Sequence, residues 1–355
     1  MRNRSSAIIV TSLSVLLAFV ACTGESDEPA IASQTSLDPE MEQELWADAT
    51  VLFEPLPDNA SNHDNPVTAA KVALGRELYF DTRLSLDGNV SCNSCHSLAT
   101  FGVDNLPFSP GDNGALGGRN SPTVLNAALH VAQFWDGRAK DVEEQAGMPI
   151  LNPVEMAIPS EEFLVDRLSR VEEYPPRFAE AFPEDEQPLS YLNISRALGA
   201  FERTLLTPSR FDAYLKGDRE ALTPMEKRGL QTFIELGCTS CHNGVNVGAA
   251  SFRKFGLMAD YWEHTGSREI DEGRFQLSGE NTDKYVFKVA SLRNVEKTAP
   301  YFHDGSVEAL DEAVRIMGSA QLGMELEPEA VADLTAFLRS LTGELPPEVM
   351  ASIER

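Results

Sequence analysis

Two short cysteine–histidine motifs carry the clearest chemical signal in the 355-residue chain. They read Cys92-Asn93-Ser94-Cys95-His96 and Cys238-Thr239-Ser240-Cys241-His242. Two thiols three positions apart, followed at once by a histidine, are typical of c-type haem attachment: the thiols add to the porphyrin vinyl groups and the histidine ligates the iron. Half of a zinc site would need two further ligands nearby, and a redox CxxC pair would not need the histidine. Because the chain has only five cysteines, two full copies predict two covalently bound haem c groups.

The composition bounds the class of protein. With 355 residues and 42% hydrophobic residues, the chain can bury enough apolar surface for two domains. The net charge of −26 argues against a nucleic-acid partner, because nucleic-acid-binding proteins show a basic face. The same charge suits a positively charged partner that is steered in by the electric field, or simply keeps the protein soluble in a salty medium.

The N-terminus reads as a secretory leader over residues 1–21. Arg2 and Arg4 supply the charged region, and residues 8–20 supply an apolar stretch too short for a transmembrane helix. Ala21 then precedes Cys22, the one cysteine outside the haem motifs, in the place where bacterial lipoproteins begin. Since c-type haem is attached outside the cytoplasm, the sequence predicts a periplasmic protein and leaves a lipid anchor at Cys22 open.

The elements that must position the motifs are mainly α-helical, with long loops and little β structure. Residues 22–43 read as a flexible tether, 44–208 as an N-terminal haem domain, 209–345 as a C-terminal haem domain and 346–355 as a tail. The N-terminal domain is predicted to contain a helix starting at Asn65-Pro66 and another over Ser190–Leu205, with an irregular stretch over Phe101–Pro122. Thr223-Pro224-Met225-Glu226 predicts a capped helix that ends at Gly237, directly before the second motif.

Further motifs, in order along nearly the whole mature chain, resemble those of the bacterial dihaem cytochrome c peroxidases. They are Leu78-Tyr79-Phe80-Asp81-Thr82-Arg83-Leu84-Ser85, Arg119-Asn120-Ser121-Pro122-Thr123, Gln133-Phe134-Trp135-Asp136-Gly137-Arg138, Thr298-Ala299-Pro300-Tyr301-Phe302-His303 and the region around Met317. The resemblance implies two cytochrome c-like domains. It also implies that peroxide is reduced at the N-terminal haem, while the C-terminal haem accepts electrons from a small c-type cytochrome or copper protein.

The resemblance assigns the peroxide site to a carboxylate. Glu155 matches the family's catalytic glutamate by motif and by its spacing from His96. One fixed carboxylate in this position can move a proton from the inner to the outer peroxide oxygen. Gln145 matches a pocket residue that hydrogen-bonds this carboxylate or peroxide, and Phe134 and Met156 match pocket-lining residues that would otherwise be ordinary core. Trp135 matches a position between the haems, where it assists electron transfer rather than only packing.

The resemblance also implies the ligands of the second haem iron and of a calcium ion. Met317 lies on one helical face with Leu310 and Val314, and its thioether matches the ligand opposite His242; His/Met ligation raises a haem potential. Met258 and Met324 are competing candidates for this ligand. The family's calcium positions are matched by Asn120, Thr298 and Pro300. These residues would supply one side-chain oxygen and two backbone carbonyls, and water would complete the coordination shell.

One position departs from the family pattern. Members commonly carry a distal histidine sixteen residues after the proximal histidine of the first haem, and in this chain that place holds Asp112 after Gly111. Two alternatives follow: the oxidised first haem is open or water-bound, or a different ligand replaces the histidine. That ligand would come from the Phe108–Arg119 loop region or be a more distant Met or His. In the first case Asp112 turns to solvent or bonds within the glycine-rich loop.

The sequence therefore predicts an exported dihaem peroxidase that reduces hydrogen peroxide with electrons from a small donor protein, and it leaves a homodimer open. An electron carrier without enzymatic activity is one alternative, disfavoured by Glu155 and Gln145. An enzyme that oxidises a protein side chain, like the related tryptophylquinone-forming enzymes, is another. It is disfavoured by Met317, because that relative has tyrosine at this position.

Overall fold

The computed structural model describes residues 37–353; the predicted leader and Cys22 lie outside them. The described chain is mainly helical, as predicted. The α-helices are α1 Pro39–Leu52, α2 Ala69–Phe80, α3 Cys92–Cys95, α4 Val142–Leu151, α5 Glu161–Ser169, α6 Tyr174–Ala181, α7 Tyr191–Glu202, α8 Arg210–Leu215, α9 Pro224–Glu235, α10 Tyr261–Thr265, α11 Phe275–Ser278, α12 Leu310–Ile316, α13 Pro328–Ser340 and α14 Pro347–Ile353. Short 3₁₀ turns lie at Thr82–Leu84, Leu98–Thr100, Ala127–Leu129, Arg219–Ala221, Cys238–Ser240, Asn281–Asp283 and Val295–Lys297.

Each half is built on one tightly crossed helix pair. In the N-terminal half, α2 crosses α7 at Gly75, where an added Cβ would lie 1.9 Å from the carbonyl oxygen of Ala197. In the C-terminal half, α9 crosses α13 at Gly229, where an added Cβ would lie 1.9 Å from the carbonyl oxygen of Asp333. Only glycine permits such close backbone approach, so both crossings are fixed by the sequence. Each pair anchors the chain that leads into one haem motif.

Segments near the two ends of the described residues pack on the opposite half of the protein. Helix α1 begins at Pro39 after the Asp38 cap, inside the range predicted as tether. Its Leu45 and the following residue, Phe53, lie in the hydrophobic core of the C-terminal half. Val349, in the predicted tail, lies in the core of the N-terminal half. The sequence does not reveal this exchange, because an amphipathic pattern identifies a buried face without identifying its partner.

The predicted helix boundaries were close. Helix α2 begins at Ala69 with Thr68 as its cap, rather than at Asn65-Pro66, and α7 ends at Glu202, before Leu205. The Thr223 capping box forms as predicted, and Gly237 takes the left-handed conformation after α9, with φ 77°. The predicted helical face that included Met317 is interrupted, because α12 ends at Ile316 and a π-helix, Met317–Leu322, follows it.

A small antiparallel sheet joins the second half to the Trp135 loop. Strands β1 Phe252–Lys254 and β2 Val286–Lys288 pair with Phe252 opposite Lys288. The backbone N–H of Lys288 donates to the carbonyl of Trp135 over 2.7 Å. No helix within residues 37–353 combines the length and apolar character needed to cross a bilayer.

Candidate haem sites

The first motif presents both thiols and a prepared histidine. Cys92 and Cys95 begin and end the single turn α3 as free cysteines, held by a hydrogen bond of 3.0 Å from the Ser91 N–H to the Ser94 hydroxyl. His96 Nδ1 lies 3.0 Å from the carbonyl oxygen of Pro122. That bond places the proton on Nδ1 and leaves the Nε2 lone pair for a metal, as in ligating histidines generally. Burial lowers the pKa of His96, so the neutral form that binds iron is favoured.

The second motif also presents two free thiols and a histidine whose Nδ1 faces a backbone carbonyl. Cys238 begins a 3₁₀ turn, Cys241 follows it, and both are free cysteines. His242 Nδ1 lies 3.4 Å from the Val247 carbonyl oxygen. Burial lowers the pKa of His242 to about 4, which keeps the imidazole neutral. The backbone behind this ring is tight: an added Cβ at Gly248 would lie 3.1 Å from His242 Nδ1. Both donor sets therefore fit covalently attached haem.

Glu155 stands beside the first motif. It is partly buried in the loop after α4. Burial raises the pKa of Cys95, and the nearby negative charges of Asp104 and Glu155 raise it further. Burial raises the pKa of Glu155 itself, while the positive charge of Arg138 and a hydrogen bond from Asn152 act in the opposite direction. A carboxylate in such surroundings holds and releases a proton more readily near neutral pH than an exposed one.

The loop around Asp112 is fastened to the Glu155 loop. An added Cβ at Gly111 would lie 1.9 Å from the Val154 carbonyl oxygen, so glycine is needed for this contact. The Asp112 N–H donates to the carbonyl of Glu155 over 2.7 Å. The backbone that carries the candidate acid–base is thus held in place by the residue at the distal-histidine position.

The Asp112 carboxylate is buried and fully engaged elsewhere. It accepts hydrogen bonds from the Ser85 hydroxyl at 2.8 Å, the Asp87 N–H at 2.6 Å and the Asn89 N–H at 2.9 Å. Neither predicted fate, solvent exposure or bonding within the glycine-rich loop, is observed; its partners precede the first motif. Burial alone would raise the pKa of Asp112, but the bonds from these three donors outweigh it and the pKa lies below its usual value.

This arrangement predicts an acid-sensitive contribution to stability. Because the folded pKa of Asp112 is depressed, its carboxylate stabilises the fold above the unfolded pKa, and this contribution is lost as the pH falls through the folded pKa. Asp112→Asn should lower the free energy of unfolding at pH 7 by about 2 kcal/mol, since bonds to a charged acceptor are lost. Urea unfolding at pH 7 and at a pH below the lowered pKa of Asp112 measures this, and the difference between the variant and the wild type should shrink at the lower pH. A constant difference would contradict it.

Trp135 and its neighbours occupy the seam between the halves. The Trp135 indole N–H donates to the Asn120 carbonyl over 2.9 Å, and its ring meets the His303 ring edge-on at 6.3 Å. Phe134 adopts a left-handed backbone conformation, φ 64°, with the Arg138 guanidinium 3.4 Å above its ring centroid. Arg138 was not a predicted site residue, yet it contacts Phe134 and acts electrostatically on Glu155.

The remaining candidates of the first site lie near one another along the chain. Gln145 is partly buried on α4, and Met156 is buried in the N-terminal core directly after Glu155. The N–H of Leu86 donates to the Met156 carbonyl over 2.8 Å, so the loop that holds Asp112 also touches this segment. No hydrogen bond of the Gln145 side chain occurs within residues 37–353.

The three candidate methionines differ in their surroundings. Met317 is partly buried and opens the π-helix, a rare element that is frequent at functional sites. Met258 and Met324 are exposed, at 62% and 42% of their surface, and line a groove on the C-terminal half. The main chain of Met258 is fixed to the π-helix by a bond from its N–H to the Ala320 carbonyl at 2.9 Å.

The candidate calcium residues lie on segments that are joined by hydrogen bonds. The Asn120 N–H donates to the His303 carbonyl over 2.7 Å, and Asn105 donates to the carbonyl of Ala299, between Thr298 and Pro300. No cluster of three or more His, Cys, Asp or Glu side chains arranged to hold a metal occurs in the part of the chain that the structure describes. A calcium ion would therefore depend on Asn120 and on carbonyl oxygens.

Fold and motifs together define a dihaem protein of the cytochrome c class. The family described as di-haem cytochrome c peroxidase matches residues 69–220. A cytochrome c551 peroxidase of Pseudomonas aeruginosa is 46% identical over 304 residues, covering 85% of this chain and 87% of the relative. The methylamine utilization protein MauG of Methylorubrum extorquens is 36% identical, covering 79% of this chain and 80% of that protein. The chain belongs to the dihaem cytochrome c peroxidase family, as its motifs predicted.

Solved structures agree with this assignment. A MauG-like protein associated with microbial copper homeostasis superimposes with a TM-score of 0.72 at 32% identity, covering 81% of this chain and 94% of that one. The diheme peroxidase BthA from Burkholderia thailandensis superimposes with a TM-score of 0.68, covering 83% of this chain and 92% of that one. At 21% identity, the second likeness concerns the fold alone.

Proposed function

We propose that the protein is a cytochrome c peroxidase that reduces hydrogen peroxide to two molecules of water, using two electrons and two protons. The observation that carries the proposal is the position of Glu155. It is partly buried on a loop that is hydrogen-bonded to Asp112 and, through Asp112, to the chain leading into the first haem motif. A haem held by Cys92, Cys95 and His96 would supply the electrons for peroxide reduction. Glu155 accepts the proton from the inner peroxide oxygen and returns it to the outer oxygen, which then leaves as water.

Neighbouring residues would prepare this carboxylate. Arg138 offsets the burial of Glu155, so that the ionised form needed to accept a proton is present. Once peroxide is bound, Gln145 would hydrogen-bond the carboxylate or the peroxide, and Phe134 and Met156 would exclude water from the pocket. Asp112 fixes the Glu155 backbone through its N–H. Together these groups would fix the position and the ionised form of the Glu155 carboxylate before peroxide binds.

The contacts of Asp112 support a first haem that is open to peroxide in the fully oxidised protein. Moving its carboxylate to the iron would break three hydrogen bonds within a buried cluster. The loop from Phe108 to Arg119 contains no histidine, methionine, cysteine or lysine that would replace the usual ligand. Peroxide would then bind without prior reduction of the second haem.

Electrons would enter at the C-terminal haem, held by His242 and Met317, and pass near Trp135 to the first. The donor would be a small c-type cytochrome or copper protein, and the net charge of −26 favours a basic one.

The leader predicts action in the periplasm, with a lipid anchor if Cys22 is processed. Asn120, Thr298 and Pro300 would hold one calcium ion in the seam. A homodimer is a further proposal that size measurements in solution would test.

Met317→Leu should remove the high-potential couple of one haem while costing less than about 1.5 kcal/mol in stability, since the two side chains have similar volumes. Redox titration followed in the visible spectrum measures the potential. Met324→Leu and Met258→Leu are the matched controls, because both side chains are exposed. Loss of the couple in a control, with Met317→Leu unchanged, would assign the ligand to that control residue.

A stopped-flow and steady-state assay tests the proposed activity directly. Purified diferric protein is mixed with peroxide, and oxidation of a reduced basic cytochrome c is followed with limiting peroxide. Two electrons should be consumed per peroxide. An electron carrier would exchange electrons with the donor but show no peroxide-dependent oxidation, and that result would overturn the proposal.

A further inference from the structure

Lys288 is a buried cation whose side chain has no anionic partner. It is 7% exposed, and its Nζ lies 3.1 Å from Nδ1 of His130, its one hydrogen-bond partner within residues 37–353. Burial lowers the pKa of Lys288 to about 8, with Asp136 opposing the shift. Burial and then the positive charge of Lys288 hold the pKa of His130 well below its usual value, so His130 is neutral.

The pair leaves hydrogen-bond donors without acceptors. Because His130 Nδ1 accepts from the Lys288 ammonium, its proton is on Nε2, and this buried Nε2 has no partner among the described residues. Asp136 does not complete the site, since its carboxylate accepts from Arg119 at 2.7 Å and from Arg138 at 3.0 Å. An ammonium buried beside only a neutral group is costly, so the geometry calls for an anion.

Both residues lie on segments that flank the second haem motif. The N–H of Val131, next to His130, donates to the Ala249 carbonyl over 2.9 Å. Lys288 is the last residue of β2, and Ala290 follows two residues later. A Cβ added at Gly248 would lie 2.2 Å from the Ala290 carbonyl oxygen and 3.1 Å from His242 Nδ1, so this carbonyl lies next to the His242 ring. The Lys288 N–H also binds the Trp135 carbonyl. Lys288 and His130 therefore lie on segments that contact both the surroundings of His242 and the Trp135 loop.

We propose that Lys288 and His130 form the binding site for one propionate carboxylate of the haem attached at Cys238 and Cys241. The inference rests on haem attachment at that motif, which the proposed function also requires. Lys288 balances the charge of the carboxylate, and His130 Nε2–H donates a second hydrogen bond. A fixed cation beside the haem stabilises the reduced iron relative to the oxidised iron, so the pair raises the potential of the electron-entry haem.

The test is a spectroscopic redox titration of the Lys288→Met holoprotein. The pyridine haemochrome spectrum first establishes that the variant contains two haems per chain. The potential of the second haem should shift downward, and the redox-difference infrared spectrum should gain a protonated-carboxyl band. Lys254→Met is the matched control, because Lys254 is exposed on the adjacent strand β1 and loses the same charge. The control should leave the potential and the spectrum unchanged.

Two further variants keep the inference testable if Lys288→Met accumulates poorly. Lys288→Arg keeps the charge and should retain the wild-type potential, while His130→Phe removes only the second donor and should give a smaller downward shift. Wild-type potentials in both Lys288→Met and His130→Phe would overturn the inference. Because potentials are measured without peroxide, this failure is distinct from a failure of the proposed peroxidase activity.

Discussion

Glu155→Gln should retain both haems and their spectra and lose about 10²–10⁴-fold in kcat for peroxide reduction, the usual contribution of a general acid–base group. Glutamine keeps the size and hydrogen-bonding capacity of the side chain but cannot carry the proton between the two peroxide oxygens. Because burial and the nearby charges are otherwise unchanged, haem potentials should remain at their wild-type values. Steady-state kinetics with saturating donor, together with a redox titration, measures both quantities.

The control for this variant is Glu144→Gln, which removes an exposed carboxylate on the preceding helix α4. It should keep wild-type turnover. The wild-type pH profile offers a second check: turnover should fall as the pH drops through the raised pKa of Glu155, since the protonated acid cannot accept the first proton. Turnover of Glu155→Gln within about threefold of wild type would remove Glu155 from the mechanism.

Asp112→His should convert a protein that reacts with peroxide as isolated into one that must first be reduced. In the wild type, the Asp112 carboxylate is held by Ser85 and two backbone N–H groups, so the diferric first haem should be high-spin. An imidazole at this place cannot keep all three bonds and supplies a strong-field nitrogen ligand instead. The first iron would then exist in two states, with the imidazole bound or released, and reduction of the second haem would favour the released state. Electron paramagnetic resonance and single-turnover reaction with peroxide measure the change.

Asp112→Asn separates ligation from loop anchoring, since it weakens the same hydrogen bonds without adding an imidazole. It should stay high-spin and react with peroxide directly, although its fold is less stable. A wild-type diferric protein with two low-spin haems that is inert to peroxide until reduced would contradict the prediction. In that case the first iron must have a ligand from outside the Phe108–Arg119 loop.

The sequence alone determined the features that depend on local chemistry. The spacing of Cys92, Cys95 and His96 identifies haem attachment because those three groups must reach one porphyrin, whatever the rest of the fold does. The capping box at Thr223 and the glycine at 237 fixed the start and the end of α9, since helix termini are satisfied by neighbours in sequence. The family followed from motifs that recur in order.

Tertiary structure decided everything that depends on which surfaces meet. Helix α1 and Val349 each pack on the opposite half, because an apolar face specifies burial and not its partner. The bonding of Asp112 to the chain at 85–89, and of Lys288 to His130 across 158 residues, has no signal in sequence spacing. Hydrogen-bond partners of buried polar groups are set by the packing of distant segments, so only the folded chain distinguishes a carboxylate that anchors a loop from one that could ligate an iron.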